Sequence, residues 1–115
     1  NLALIHFKKR EIKKVKNFLK KSLTENPNSY LSLLLFGKIF KNERKLSQAR
    51  FYLSQAIDVC SFCIAPIQET VKILISENNN KQAKNIIISY LKKNDSKSQN
   101  YKKAEKLLAQ VYNKK

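Results

Sequence analysis

YLSLLLFGKIFKNERKLSQARFYLSQAIDVCSFC, residues 30–63, carries the pattern on which the fold is read. Leu33, Phe36, Gly37 and Phe40 come first, and Ala49, Leu53 and Ala56 follow. Spacings of three, four and seven put each set on one face of a helix, so the stretch reads as two amphipathic helices joined near Asn42, Glu43 and Arg44. A glycine inside a helix costs about 1 kcal/mol relative to alanine. A close helix crossing accounts for Gly37, with Ala49 and Ala56 as small contacts on the facing helix.

The pattern recurs at a step of 34 residues. Forward, Leu33 leads to Ile67, Phe40 to Leu74, Ala49 to Ala83 and Leu53 to Ile87; a second step leads from Ile67 to Tyr101 and from Leu74 to Leu108. Backward, Leu53 leads to Leu19, Ala49 to Val15 and Gly37 to Ala3. A non-repetitive bundle would show the same helical periodicity, but not so many coincidences at one period. Helices are expected over Leu2–Lys8, Glu11–Thr24, Ser29–Lys41, Lys45–Val59, Ala65–Glu77, Lys81–Lys93 and Ser98–Asn113. Asn28, Asn80 and Ser96 or Lys97 lie near the starts, and Asn78, Asn79 and Asn80 read as a turn.

These residues resemble the tetratricopeptide repeat: an apolar residue, an apolar and small pair and an aromatic in the first helix, then alanines flanking a large residue in the second. Gly37, Phe40, Ala49, Leu53, Ala56 and Ala83 carry the signature. Pro27, after Asn26, stands where one repeat ends, while no proline follows Ala56. The outer repeats are degenerate: His6 replaces an aromatic, Ser22 and Tyr90 replace the second alanine, and Val71 replaces the glycine. The resemblance covers residues 1–115 as one domain, with repeats at about 1–29, 30–63 and 64–97 and a terminal helix at 98–113. It implies an all-α fold of helical hairpins stacked as a short right-handed α-solenoid. Lys102, Lys103, Lys106 and Lys114 give the last helix the wet face that an end cap needs.

Hydrophobic residues make up 43% of the chain, with one glycine and two prolines, which excludes collagen-like and linker-dominated classes. No apolar run approaches the roughly 18 to 20 residues of a membrane span. The chain starts at Asn1 and has no methionine, so it is read as a processed or excised piece of a longer protein, and nothing in it fixes localisation. The formal charge is +16, carried mostly by lysine. Lys, Asn and Ile are also residues of AT-rich codons, so genome composition and a functional surface both account for the charge.

Cys60 and Cys63 form a Cys-x-x-Cys pair. Structural zinc takes four ligands, and the chain offers two cysteines and one distant histidine, His6. A thioredoxin-like site needs a βαβ setting that the pattern lacks. The thiols are therefore expected at a turn between repeats, packed as small apolar groups; an oxidising compartment would permit a disulfide. His6 has no nucleophile or orienting acid spaced near it, and Gly37 alone cannot build a phosphate-binding loop. No catalytic residue, metal or cofactor is expected.

The leading expectation is a non-catalytic protein-interaction scaffold. In the family it resembles, first helices line a concave groove for a peptide or a partner's helix. That mapping places Lys38, Lys72 and Lys106 at equivalent points 34 residues apart, flanked by Leu31, Leu34, Lys41, Asn42, Gln68, Ile75, Lys102 and Gln110. The Lys and Asn clamp by which some members hold a terminal carboxylate falls here on Leu4 and Asn1, so a basic groove for an acidic segment is the expected form. Two other readings stay open. Tyr30, Phe51, Tyr52, Phe62, Tyr90 and Tyr112 interleave with basic residues, as nonspecific single-stranded nucleic-acid binding would require, although helical spacing assigns Phe36, Phe40 and Tyr101 to the core. Open-ended helical arrays also self-assemble through terminal helices.

Overall fold

The computed structural model describes residues 9–113. The helix expected over Leu2–Lys8, with Ala3, Leu4 and His6 in it, lies outside the described residues, as do Asn1 and Lys114. Among the described residues there are six α-helices and no strand: α1 Lys9–Glu25, α2 Tyr30–Asn42, α3 Leu46–Val59, α4 Ala65–Ser76, α5 Asn80–Lys93 and α6 Gln99–Asn113. For the six helices among the described residues, each expected boundary falls within two residues of the observed one. The chain divides between Val59 and Cys60 into two compact units.

In the first unit α2 packs on α1 and, more extensively, on α3. Leu33, Phe36 and Ile39 of α2 are buried, as are Ala49, Leu53 and Ala56 of α3. Small residues at 49 and 56 let the backbones approach, and a Cβ placed on Gly37 would stand 2.6 Å from Cγ and Cδ2 of Leu53. Leu19 of α1 is buried as well. Ser32 is also buried, and its hydroxyl is satisfied by Ser22 Oγ at 2.8 Å and Ser29 Oγ at 3.1 Å.

In the second unit α5 packs on α4 and, more extensively, on α6. Ile67, Val71 and Leu74 of α4, Ala83, Ile87 and Tyr90 of α5, and Ala104 and Val111 of α6 are buried. Val71 and Tyr90, which stand where the repeat pattern has glycine and alanine, are thus filled core positions. Thr70 is buried too, and its hydroxyl donates to Pro66 O at 2.7 Å.

The turns after α2 and α4 are the same turn. Arg44 N donates to Lys41 O and Lys45 N to Phe40 O; 34 residues on, Asn78 N donates to Ile75 O and Asn79 N to Leu74 O. Arg44 and Asn78 take φ of 66° and 61°, the left-handed residue of a Schellman motif that satisfies the last carbonyls of each helix. Side-chain caps lie one residue from, or just beyond, the positions expected: Ser29 accepts from Ser32 N, Asn79 from Gln82 N and Ser98 from Tyr101 N. α5 and α6 are joined through Asn94–Ser98, where Asn94 is extended and Lys97 N donates to Asp95 Oδ1 at 3.0 Å.

Candidate interaction surface

With Leu33, Phe36, Gly37 and Phe40 turned to the core, helical geometry turns Leu31, Leu35, Lys38 and Asn42 outward, at steps of four, three and four. Leu31 is 62% exposed, Asn42 is exposed, and Leu35, Lys38 and Lys41 are half-buried. Leu34, expected on this outward face, is instead buried at 7%. It lies one residue round from Leu33 and three before Gly37, so it rotates with the core side, and Leu35 takes its place outside. Burial also pushes the phenol of Tyr30, at the start of this helix, above its ordinary range.

The other expected residues lie in the second unit. Lys72 is exposed, with Nζ 3.7 Å from Glu69 Oε2, while Gln68 and Ile75 on the same helix are half-buried. Lys102, Lys106 and Gln110 are exposed on α6. The three equivalent lysines are therefore unlike one another electrostatically: Lys38 is partly covered, Lys72 faces a carboxylate, and Lys106 is open to solvent.

Near the first unit's turn, Lys16 Nζ lies 2.7 Å from Glu43 Oε1 and 5.0 Å above the ring of Phe40. Ile12, Lys13, Lys16 and Glu43 line an open depression of about 340 Å³. Phe36, Phe40 and Tyr52 form a near-parallel stack with centroids 4.7 to 5.7 Å apart, and Phe51 meets Tyr52 edge-on. The faces of Phe36 and Phe40 are thus covered by each other, by Tyr52 and, at Phe40, by Lys16, which agrees with their assignment to the core; Tyr101 is half-buried. Four exposed aromatics went unassigned in the sequence reading of the groove: Phe18 at 71%, Phe51 at 57%, Phe62 at 68% and Tyr112 at 57%. For Phe18 and Phe51 a signal existed, since each sits off the core stripe that Leu19, Ala49 and Leu53 define.

The cysteines are not the packed free thiols expected from composition. Cys60 and Cys63 form a disulfide, with Cα atoms 5.4 Å apart, inside the span of about 4.4 to 6.8 Å that a disulfide bridges. Cys60 is buried, Cys63 half-buried, and Ser61 and Phe62 between them are exposed. Tyr90 Oη donates to Phe62 O at 2.8 Å, Asn100 Nδ2 to the same oxygen at 3.3 Å, and Asn94 Nδ2 to Ser61 O at 3.3 Å. Among the described residues no three His, Cys, Asp or Glu side chains converge as a metal site requires. No helix among them is long and apolar enough to cross a membrane.

Compared with known protein families, with curated proteins and with solved structures, the chain matches none.

Proposed function

We propose that this chain is a non-catalytic protein-interaction module built of tetratricopeptide-type hairpins in a short right-handed α-solenoid, and that its first-helix faces bind an acidic peptide or helix. The repeat reading draws support from the backbone: the turns at Arg44 and Asn78 have the same hydrogen bonds and the same left-handed residue at an offset of 34. For the binding role, the observation that carries it is Leu31. A leucine left 62% exposed next to Leu35 and Lys38 offers an apolar anchor beside a cation, the pairing that an acidic amphipathic segment complements.

The test is selection of binders from a random peptide library on the immobilised chain, followed by affinity measurement with two triple variants. Lys38→Glu, Lys72→Glu and Lys106→Glu together are expected to weaken the selected acidic peptides at least about tenfold, roughly 1.4 kcal/mol, with helicity unchanged. The control reverses Lys20, Lys81 and Lys92, all exposed on second helices; Lys84 is avoided because its Nζ lies 4.1 Å over the Tyr112 ring. Equal losses in both variants reduce the effect to nonspecific attraction. Binding that is stronger to single-stranded nucleic acid, with a steep salt slope, favours the nucleic-acid reading. Mass that grows with concentration favours self-assembly.

A further inference from the structure

The loop closed by Cys60 and Cys63 is a meeting point within the second unit. Its carbonyls accept from Tyr90 in the last turn of α5, from Asn94 at the α5 C-cap and from Asn100 in the first turn of α6. Asn94 Nδ2 also donates to Tyr90 O at 2.7 Å, so the three donors form one cluster whose acceptors lie within a single four-residue ring. Two of the three contacts to that ring are 3.3 Å long, near the limit of a useful bond, and depend on where the ring holds its oxygens. The two cysteines are unequally exposed, Cys60 being buried and Cys63 half-buried.

We propose that Cys60–Cys63 is a reversible thiol–disulfide exchange site, for which a dithiol is the reductant, and that its oxidised form clamps Tyr90, Asn94 and Asn100 onto the loop. The reductant's thiolate attacks Sγ of Cys63, the more exposed residue; a mixed disulfide forms, the Cys60–Cys63 bond breaks, and Cys60 leaves with the electron pair and takes a proton. The second thiolate of the reductant then attacks the reductant sulfur in the mixed disulfide, and Cys63 leaves and is protonated in turn. Two electrons pass to the protein, which ends with two thiols, and the reductant ends as a cyclic disulfide. Without the covalent ring the backbone of residues 60–63 regains conformational freedom, and the two long hydrogen bonds go first. This exchange is independent of peptide binding on the first-helix faces.

The experiment treats the native chain with dithiothreitol, traps thiols by alkylation, and follows amide exchange by mass spectrometry. Expected are two alkylated cysteines without denaturant. Exchange should rise at least tenfold over residues 60–64 and 90–101, and α2 and α3 should stay protected. Cys60→Ser with Cys63→Ser should show the fast exchange in oxidising buffer and ignore the reductant. Tyr90→Phe keeps the disulfide and removes the 2.8 Å bond, so it should speed reduction several-fold; it decides the matter if the double serine variant does not fold. Reduction that needs denaturant, free thiols in air-equilibrated protein, or exchange unchanged after reduction would each overturn the proposal.

Discussion

Gly37 lies tight against α3, because a methyl there would lie 2.6 Å from two atoms of a Leu53 side chain that has no exposed surface. Two effects oppose each other in Gly37→Ala. Helix propensity gains about 1 kcal/mol, whereas overpacking costs about 1 to 3 kcal/mol. The contact reaches Cγ of the buried Leu53 as well as its tip, so the clash should win, with a net loss of roughly 1 kcal/mol in urea denaturation. Leu53→Ala alone should cost about 2 to 5 kcal/mol, and the double variant less than the sum, since the new methyl enters the vacated space. Strict additivity would show that the two residues do not touch. The sequence marked Gly37 as a close crossing but misplaced Leu34. Apolar residues at 31, 33, 34, 35, 36, 39 and 40 cover so much of α2 that hydrophobic periodicity loses its phase there. The state of the cysteines was out of reach for a different reason, because pairing depends on the Cα separation that the turn imposes.

Among the elements, the helices were legible to within two residues because polar turn clusters separate strongly periodic segments. What the sequence concealed was the form of the turns. Schellman motifs usually announce themselves with glycine at the left-handed position, and here Arg44 and Asn78 occupy it. Asparagine tolerates that conformation, while arginine pays about 1 to 2 kcal/mol for it. Glycine removes that cost but has a more flexible unfolded chain to order. Arg44→Gly is therefore expected to stabilise by about 0.5 to 1 kcal/mol in thermal unfolding, and Asn78→Gly by clearly less. Equal effects at the two sites would contradict the different fit of the two side chains to the same turn.

At the scale of the whole molecule, a formal charge of +16 sets lysine against lysine, and eight acidic residues relieve it only in part; among the described residues Glu43 attracts Lys16 and Lys45, and Glu69 attracts Lys72. Raising salt from about 10 to 150 mM shortens the screening length from roughly 30 to 8 Å, so Tm should rise across that range. Affinity for an acidic peptide should fall over the same interval. Calorimetry and a binding titration in matched buffers check the opposite signs, and a Tm that falls with salt would mean that the ion pairs outweigh the repulsion. The fold class was readable from periodicity, but the sign and placement of useful charge were not, because lysine occupies exposed positions on four of the six described helices. The connection between α5 and α6 has a consequence for limited proteolysis. Trypsin finds a lysine or arginine in every described helix, yet it must draw its substrate into an extended strand, and Asn94 already has that geometry at φ −123° and ψ 158°. The exposed Arg44, locked by its bonded turn, should resist longer than Lys93 and Lys97. The first nick among the described residues should thus fall beside Asn94–Ser98, releasing α6 as a peptide while α2 and α3 stay joined.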